Sequence, residues 1–445
     1  MAHLRRSRAT ALPGSHLTPR GEAAGRDVPA PPPDTVLIVS GSVGAGHDGA
    51  ANELARRLRE RGVRVEQRDH LEALPRIFQR VLQDGYTLSV GYVPAFFEWL
   101  FCAIEHRGWV QRCTLAFCHG ANRVMRQWVS DDVAVIVSTY PLASQALGRL
   151  KATGQIRQPV VTYLTDPAVH RLWVHPDVEH HLTVTAATAT QGRERYGVAM
   201  CAVGALVPPR FGARELGAGR ADLRAQLGVA EDESLALLVS GSLGLGDLAC
   251  TVRALRASDR TRVLVLCGRN DHLRRKLSAI PGVVALGWRE DVAELMAAAD
   301  VLVHNAGGLS LTEGLAAGLP AITYQPLPGH GRANAALLAK VGLAPWPQTP
   351  EELRGWLRPA QAGTNTGRAA VTCPSDAADV VISLLPGTGT PAGASAIPHS
   401  ARGEGPSAAD CADPTMRTVP APNAWAGIIT EQSSPLAGCG WSSSS

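Results

Sequence analysis

The chain has 445 residues, of which 45% are hydrophobic and 18% charged, and its net charge at neutral pH is +4. That length implies two to three domains with real hydrophobic cores, while so small a charge gives no basis for nucleic-acid binding and is compatible with an anionic membrane surface. The nine cysteines are odd in number and contain no Cys-x-x-Cys pair, which argues against a disulfide framework or zinc site and for the reduced thiols of a cytosolic protein.

Residues 1–33 and about 386–445 are rich in Pro, Gly, Ser, Thr and Ala and are expected to be disordered tails. The first tail has arginines but no apolar core of a secretory signal, and no segment reaches the roughly 18 to 20 apolar residues of a membrane span. Between the tails, strand-like runs alternate with helical stretches. TVLIVS from Thr35, VRVEQ from Val63, VAVIVS from Val133, PVVTYL from Pro159 and HLTV from His181 predict a parallel sheet covered by helices, as a domain over 34–208. CAVGALVPPRFG from Cys201 ends a strand and then carries Gly204, Pro208, Pro209 and Gly212, the signature of a linker. LALLVS from Leu235, RVLVLC from Arg262, GVVAL from Gly282, DVLVH from Asp300 and PAITY from Pro320 repeat the pattern over 209–385, and SDAADVVISLL from Ser375 predicts a capped closing helix. The fold class is α/β: two doubly wound Rossmann-like domains facing a central cleft.

The same glycine-rich turn opens both halves. SGSVGAGHDGA after the first strand has a near copy, SGSLGLGDLAC, after the strand from Leu235, with His47 in the first and Asp247 at the matching place in the second. A strand, a glycine loop and a helix bring bare N–H groups and a helix N-terminus together, which favours an anion such as a phosphate. Gly44, Gly46 and Gly49 also fit a dinucleotide fingerprint with Glu66 as ribose acid, but the second copy (Gly244, Gly246, Ala249) has no acid after its next strand. In ADVLVHNAGGLSLTEGLAAGLP a strand ends at Gly307 and Gly308, and Glu313 follows in the first turns of a helix. A diphosphate at the helix N-terminus and a ribose diol on the acid, as in a nucleotide sugar, suit that arrangement.

These segments resemble the GT-B glycosyltransferases, and among them the monogalactosyldiacylglycerol synthase and processive diacylglycerol glucosyltransferase family, related to the enzyme that adds N-acetylglucosamine to the peptidoglycan lipid precursor. SGSVGAGHDGAANEL resembles that family's Gly-Gly-Gly-His-x-x-Ala-Ala loop, STYPLASQALGRL from Ser138 its Ser-x-His-Pro-Leu segment, and TDPAVHRLW from Thr165 its Thr-Asp followed by His-x-x-Trp. The likeness is collinear from about Val36 to Val341. It implies inverting transfer of a hexose from a UDP-sugar to a lipid such as diacylglycerol, with no bound cofactor or metal, by a cytoplasmic enzyme peripheral at the inner face of the membrane.

Carried over residue by residue, the resemblance makes His47 the catalytic base, with Asp166 its orienting partner or rival. Gly241, Ser242, Gly307, Gly308 and Leu309 would line the diphosphate site, Thr312 and Glu313 the phosphate and ribose, Trp288 beside Gly287 the uracil, and His330 and Asn334 the sugar. Gly44, Gly46, His170 and Trp173 fall on the acceptor side. So do Phe96, Phe97 and Trp99, members of an aromatic cluster with Phe78, Tyr86, Tyr92, Phe101 and Trp109 that holds four of the six phenylalanines. With Arg76, Arg80, Arg107 and Arg112 that cluster either meets the membrane interface or packs as core. Two departures from the family stand out: His330 and Gly331 replace a Gln-Glu pair, and Asn305 replaces a lysine. Asp166, His170, His175, His180 and His181 lack the spacing of a zinc motif. A glycosyltransferase with another acceptor, a dinucleotide-dependent oxidoreductase and a non-catalytic lipid-binding relative of the fold are the alternatives.

Overall fold

The structure, a computed structural model, describes residues 34–386 apart from 107, 213–216, 258–259, 306 and 362–365. Both expected tails, and Arg107, lie outside the described residues. The first sheet contains β1 (Thr35–Ser40), β2 (Arg64–Asp69), β3 (Val133–Ser138), β4 (Val160–Tyr163), β5 (His180–Thr183) and β6 (Cys201–Ala202), all parallel in the order β2-β1-β3-β4-β5-β6. The second contains β7 (Ser234–Val239), β8 (Thr261–Leu266), β9 (Val283–Leu286), β10 (Val301–His304) and β11 (Ala321–Thr323), parallel in the order β11-β10-β7-β8-β9. Strands buried on both faces need continuous apolar runs, and β1, β3 and β7 supply them; β2 is an edge strand, half-exposed, and its sequence RVEQRD is correspondingly polar. It starts one residue later than expected and runs on to Asp69, so Asp69, not Glu66, stands at its carboxyl end.

Helices α1 (Ala45–Glu60), α2 (Arg76–Tyr92), α3 (Pro94–Glu105), α4 (Trp109–His119), α5 (Asn122–Trp128), α6 (Pro141–Ala152) and α7 (Ala186–Tyr196) belong to the first half. The second half has α8 (Gly217–Gln226), α9 (Leu248–Arg256), α10 (Asp271–Ser278), α11 (Val292–Ala298), α12 (Leu309–Ala316), α13 (His330–Lys340), α14 (Pro350–Gln361) and α15 (Thr366–Val371). The last described helix, α16 (Ala377–Ser383), turns back onto α1. Asp376 caps it, accepting from Ala378 N at 2.9 Å, and receives Arg57 of α1 and Arg61 just after it, each at 3.2 Å. Arg57 also donates to the linker carbonyls of Ala205 and Val207, and the buried Glu53 holds its guanidinium at 2.7 Å.

In each sheet the strand order reverses once, between β1 and β3 and between β7 and β10. At such a point the loops leaving the carboxyl ends of two neighbouring strands run to opposite faces and open a crevice, where ligands of these folds bind. Both glycine loops, after β1 and after β7, stand at these crevices.

Candidate active site

His47 lies in the first turn of α1, at the reversal of the first sheet. Its Nδ1 is 2.8 Å from the carbonyl oxygen of Thr139, in the loop that follows β3. A carbonyl only accepts, so the neutral ring carries its proton on Nδ1 and keeps its lone pair on Nε2. Thr165 Oγ1 lies 3.1 Å from the same Nδ1, and Thr139 Oγ1 donates to His47 O at 3.1 Å, which fixes both ring and backbone. Burial lowers the pKa of His47, partly opposed by Asp166, so the ring is neutral at physiological pH. A ring so held could accept a proton at Nε2.

Tyr140 packs edge-on against His47, ring centres 5.1 Å apart, and lies flat over Gly41. A Cβ at Gly41 would sit 2.5 Å from Tyr140 Cγ, so this glycine, the extra one before the fingerprint, is required by a ring and not by a phosphate. On the far side of Tyr140 the sequence reading missed His70: it is fully buried, its ring centre is 5.6 Å from that of Tyr140, and neither ring nitrogen has a partner among the described residues.

Asp166 is held from both halves. Trp173 Nε1 donates to Oδ2 at 3.0 Å, Asn334 Nδ2 of α13 donates to Oδ1 at 3.1 Å, and His170 Nε2 stands 3.6 Å from Oδ2. Burial alone would raise its pKa, but the bond from His170 and the nearby His330 and His47 hold it well below the usual carboxylate range. So acidic a carboxylate is a poor proton acceptor, which favours an orienting and charge-balancing role. Trp173 is completely buried, and His170 nearly so, which removes both from any membrane-facing surface; they brace Asp166. Asn334 uses its other end to accept from Ala168 N at 2.9 Å, so it bridges the cleft.

The second glycine loop works differently from the first. Asp247, at the position matching His47, caps α9 by accepting from Cys250 N at 3.0 Å. Its carboxylate occupies the helix terminus that the sequence offered to a phosphate. The free N-terminus is instead that of α12, whose N-cap Gly308 supplies no side chain. Around it, Ser240 Oγ at the end of β7 and Asn305 Oδ1 after β10 are buried with no partner among the described residues, while Asn305 Nδ2 donates to Leu245 O at 2.7 Å and joins the two loops. Ser242 Oγ accepts from Ala45 N of the first loop at 3.3 Å. Thr312 Oγ1 donates within its own helix, to Leu309 O at 2.8 Å. Glu313 is largely buried, and burial pushes its pKa up to about 7 against the opposing charge of Arg210. Trp288 is 51% exposed at the cleft's outer end, with the guanidinium of Arg269 5.0 Å from its ring centre.

Leu309 packs into the space left by Gly49, where a Cβ would lie 2.3 Å from its Cδ2, and comes into ordinary contact range of Gly46. Gly49 therefore admits the opposite helix. Asp69, the acid a dinucleotide would need, already accepts from Ser42 N at 3.2 Å and Leu71 N at 2.9 Å, and Glu66 pairs with Arg68.

The aromatic segment splits by face. Phe97 packs with Tyr86, Val90, Leu245 and Leu327 across the cleft, and Phe101 lies against His170. Phe96 and Trp99 stack on each other outside, 51% and 50% exposed, and on α2 a stripe of Ile77, Val81, Leu88 and Tyr92 is also exposed. No single helix among the described residues is long and apolar enough to cross a membrane; α2 and α3 together reach that length, bent by 118°. Among the described residues no group of His, Cys, Asp and Glu could hold a metal ion.

Comparison with known proteins agrees with this geometry. Residues 47–200 match the family model for monogalactosyldiacylglycerol synthase, and 238–342 that for glycosyl transferases group 1. Processive diacylglycerol beta-glucosyltransferases are similar over most of the chain. The one from Bacillus pumilus is 24% identical over 69% of this chain and 82% of its own length, and one from Staphylococcus epidermidis is 24% identical over 71% and 82%. Among solved structures, the glycotransferase of kitacinnamycin superposes with a TM-score of 0.53 at 19% identity, covering 80% of this chain and all of that one. The spinosyn rhamnosyltransferase SpnG, complexed with thymidine diphosphate, gives 0.53 at 15% identity, covering 79% and 99%. The two Rossmann-like sheets have the GT-B fold, and the family models and relatives make the chain a glycosyltransferase. Within that class the chain carries a segment that matches the monogalactosyldiacylglycerol synthase family and is similar to processive diacylglycerol beta-glucosyltransferases.

Proposed function

We propose that the protein transfers a hexose, with inversion, from a UDP-sugar to the hydroxyl of a lipid acceptor such as diacylglycerol, at a membrane surface. The carrying observation is His47, pinned through Nδ1 to Thr139 O with Nε2 left basic at the reversal of the first sheet. The acceptor hydroxyl gives its proton to Nε2 while its oxygen attacks the anomeric carbon, and the bond from that carbon to the diphosphate breaks with its electron pair leaving on UDP. Attack opposite the leaving group inverts the centre. Asp166 balances the imidazolium that forms, and the α12 N-terminus with Gly307 and Gly308 stabilises the departing diphosphate. Glu313 accepts from the ribose, and the exposed Trp288 lies by the uracil. The printed names of the bacterial relatives support diacylglycerol as acceptor. Phe96, Trp99 and the α2 stripe, with the exposed Arg76, Arg80 and Arg112, support docking on an anionic bilayer. This reading proposes domains over 34–208 and 209–385 and a peripheral, cytoplasmic location.

The test is transfer from labelled UDP-glucose, UDP-galactose and UDP-N-acetylglucosamine to mixed lipids, with the product's anomeric configuration read by NMR. His47→Ala is expected to keep UDP affinity and melting temperature and to lose about 10²- to 10⁴-fold in turnover. A stable variant retaining more than about a tenth of the rate removes His47 as base.

A further inference from the structure

The helix that carries the outward Phe96 and Trp99 also reaches across the cleft. On its inner face Glu98 Oε2 accepts a hydrogen bond from Gly329 N at 2.6 Å, in the turn that opens α13. Gly329 has φ 68° and ψ −111°, and a Cβ there would lie 2.9 Å from both Cβ and Cγ of Phe101 and 3.1 Å from Phe97 Cε1. The turn is thus formed against α3, and only glycine fits it. His330 comes next, with its ring 6.1 Å from that of Tyr86 and 6.2 Å from that of Phe97. At the other end of α3, Glu105 accepts from Arg171 N at 2.7 Å and from Tyr196 OH at 2.6 Å, anchoring the helix to its own half.

We infer that Glu98 is a positioning residue: from the lipid-facing helix it holds the Gly329–His330 turn of the opposite half in the geometry that presents His330 to the donor sugar. The inference rests on the proposed reading of the cleft as a nucleotide-sugar site. It makes the sugar site of one half depend on a helix of the other, the one that faces the lipid. Arg332 Nε, 3.8 Å from Glu98 Oε2, lies at the edge of the contact and is mostly exposed, so the hydrogen bond to Gly329 N, not the pair with Arg332, sets the turn.

The experiment compares Glu98→Ala with Glu98→Gln, whose amide oxygen still accepts from Gly329 N. Amide hydrogen exchange over 326–333 is read together with UDP affinity, melting temperature and the kinetics of UDP-hexose transfer. In Glu98→Ala the Gly329 amide is expected to lose protection and turnover to fall by about 10-fold or more, as a misplaced contact does, with UDP affinity and melting temperature unchanged. Glu98→Gln is expected to restore both protection and turnover. Wild-type turnover in Glu98→Ala, or equal impairment in Glu98→Gln, overturns the inference. A wild-type protein that transfers from no UDP-hexose instead overturns the proposed reaction. The exchange arm then still decides whether Glu98 holds the turn: lost protection in Glu98→Ala alone sustains it, and unchanged protection refutes it.

Discussion

Glu313 links an unusual protonation state to ligand affinity. Burial raises its carboxyl pKa from 4.5 to about 7. A carboxylate that accepts hydrogen bonds from a ribose diol must be ionised, so donor binding competes with protonation. At about pH 8 roughly nine-tenths of the sites are ionised and at about pH 6 roughly one-tenth, so affinity is expected to drop about tenfold, or about 1.3 kcal/mol, over that interval. Glu313→Gln removes the charge and is expected to weaken binding by about 1.5–3 kcal/mol at the upper pH while flattening the dependence. Calorimetry with UDP-glucose is the assay, because its doubly esterified diphosphate gains no proton in this range. A flat wild-type profile, or the same slope in Glu313→Gln, refutes the reasoning. The stability sign is opposite: the unfolded carboxyl ionises near 4.5 and the folded one near 7, so the protein loses this contribution as pH rises from about 4.5 to about 7.

Gly41→Ala drives a methyl into the face of Tyr140, and is expected to cost about 1–3 kcal/mol of unfolding free energy by urea titration and to lower turnover by disturbing His47; unchanged stability would show that Tyr140 moves freely. His70 is held neutral by burial, its pKa lowered to about 4. The unfolded state therefore takes up its proton first, and stability falls as pH drops from about 6.5 towards 4, by about 2–3 kcal/mol from this group. His70→Phe is expected to lessen that acid sensitivity in urea midpoints measured at about pH 7.5 and 4.5, and an identical decline would assign it to other groups. Phe96→Ala with Trp99→Ala is expected to weaken sedimentation with phosphatidylglycerol vesicles by about tenfold while leaving the melting temperature intact, given roughly 25 cal/mol per Å² of apolar surface withdrawn from water. Equal sedimentation would exclude that face from docking.

The sequence by itself determined what depends on local patterning. Short, β-branched apolar runs such as VAVIVS, bounded by turn residues, suit strands buried on both faces, and their alternation with helical periods points to parallel sheets. The two glycine loops, placed after matching strands, marked both switch points. Local spacing also marked Gly308 and Glu313, because a turn and its following helix are set within a few residues, whereas His47 and Asp166 were singled out by the resemblance to a known family.

Tertiary structure decided what each side chain meets, since that depends on partners far away in the chain. His47 and Asp247 occupy matching positions, yet one finds a carbonyl 92 residues distant and the other caps its own helix. Gly49 fits a dinucleotide fingerprint but makes room for Leu309, and Trp173, placed on the acceptor side by the resemblance, is buried and donates to Asp166. The aromatic run between Phe96 and Phe101 has one composition and two fates, because a helix turns successive residues to different faces and only packing determines which face meets the cleft. His70 and Glu98 carried no local signal: burial without a partner in one case, and a hydrogen bond to a residue 231 positions on in the other, exist only once the halves are in place.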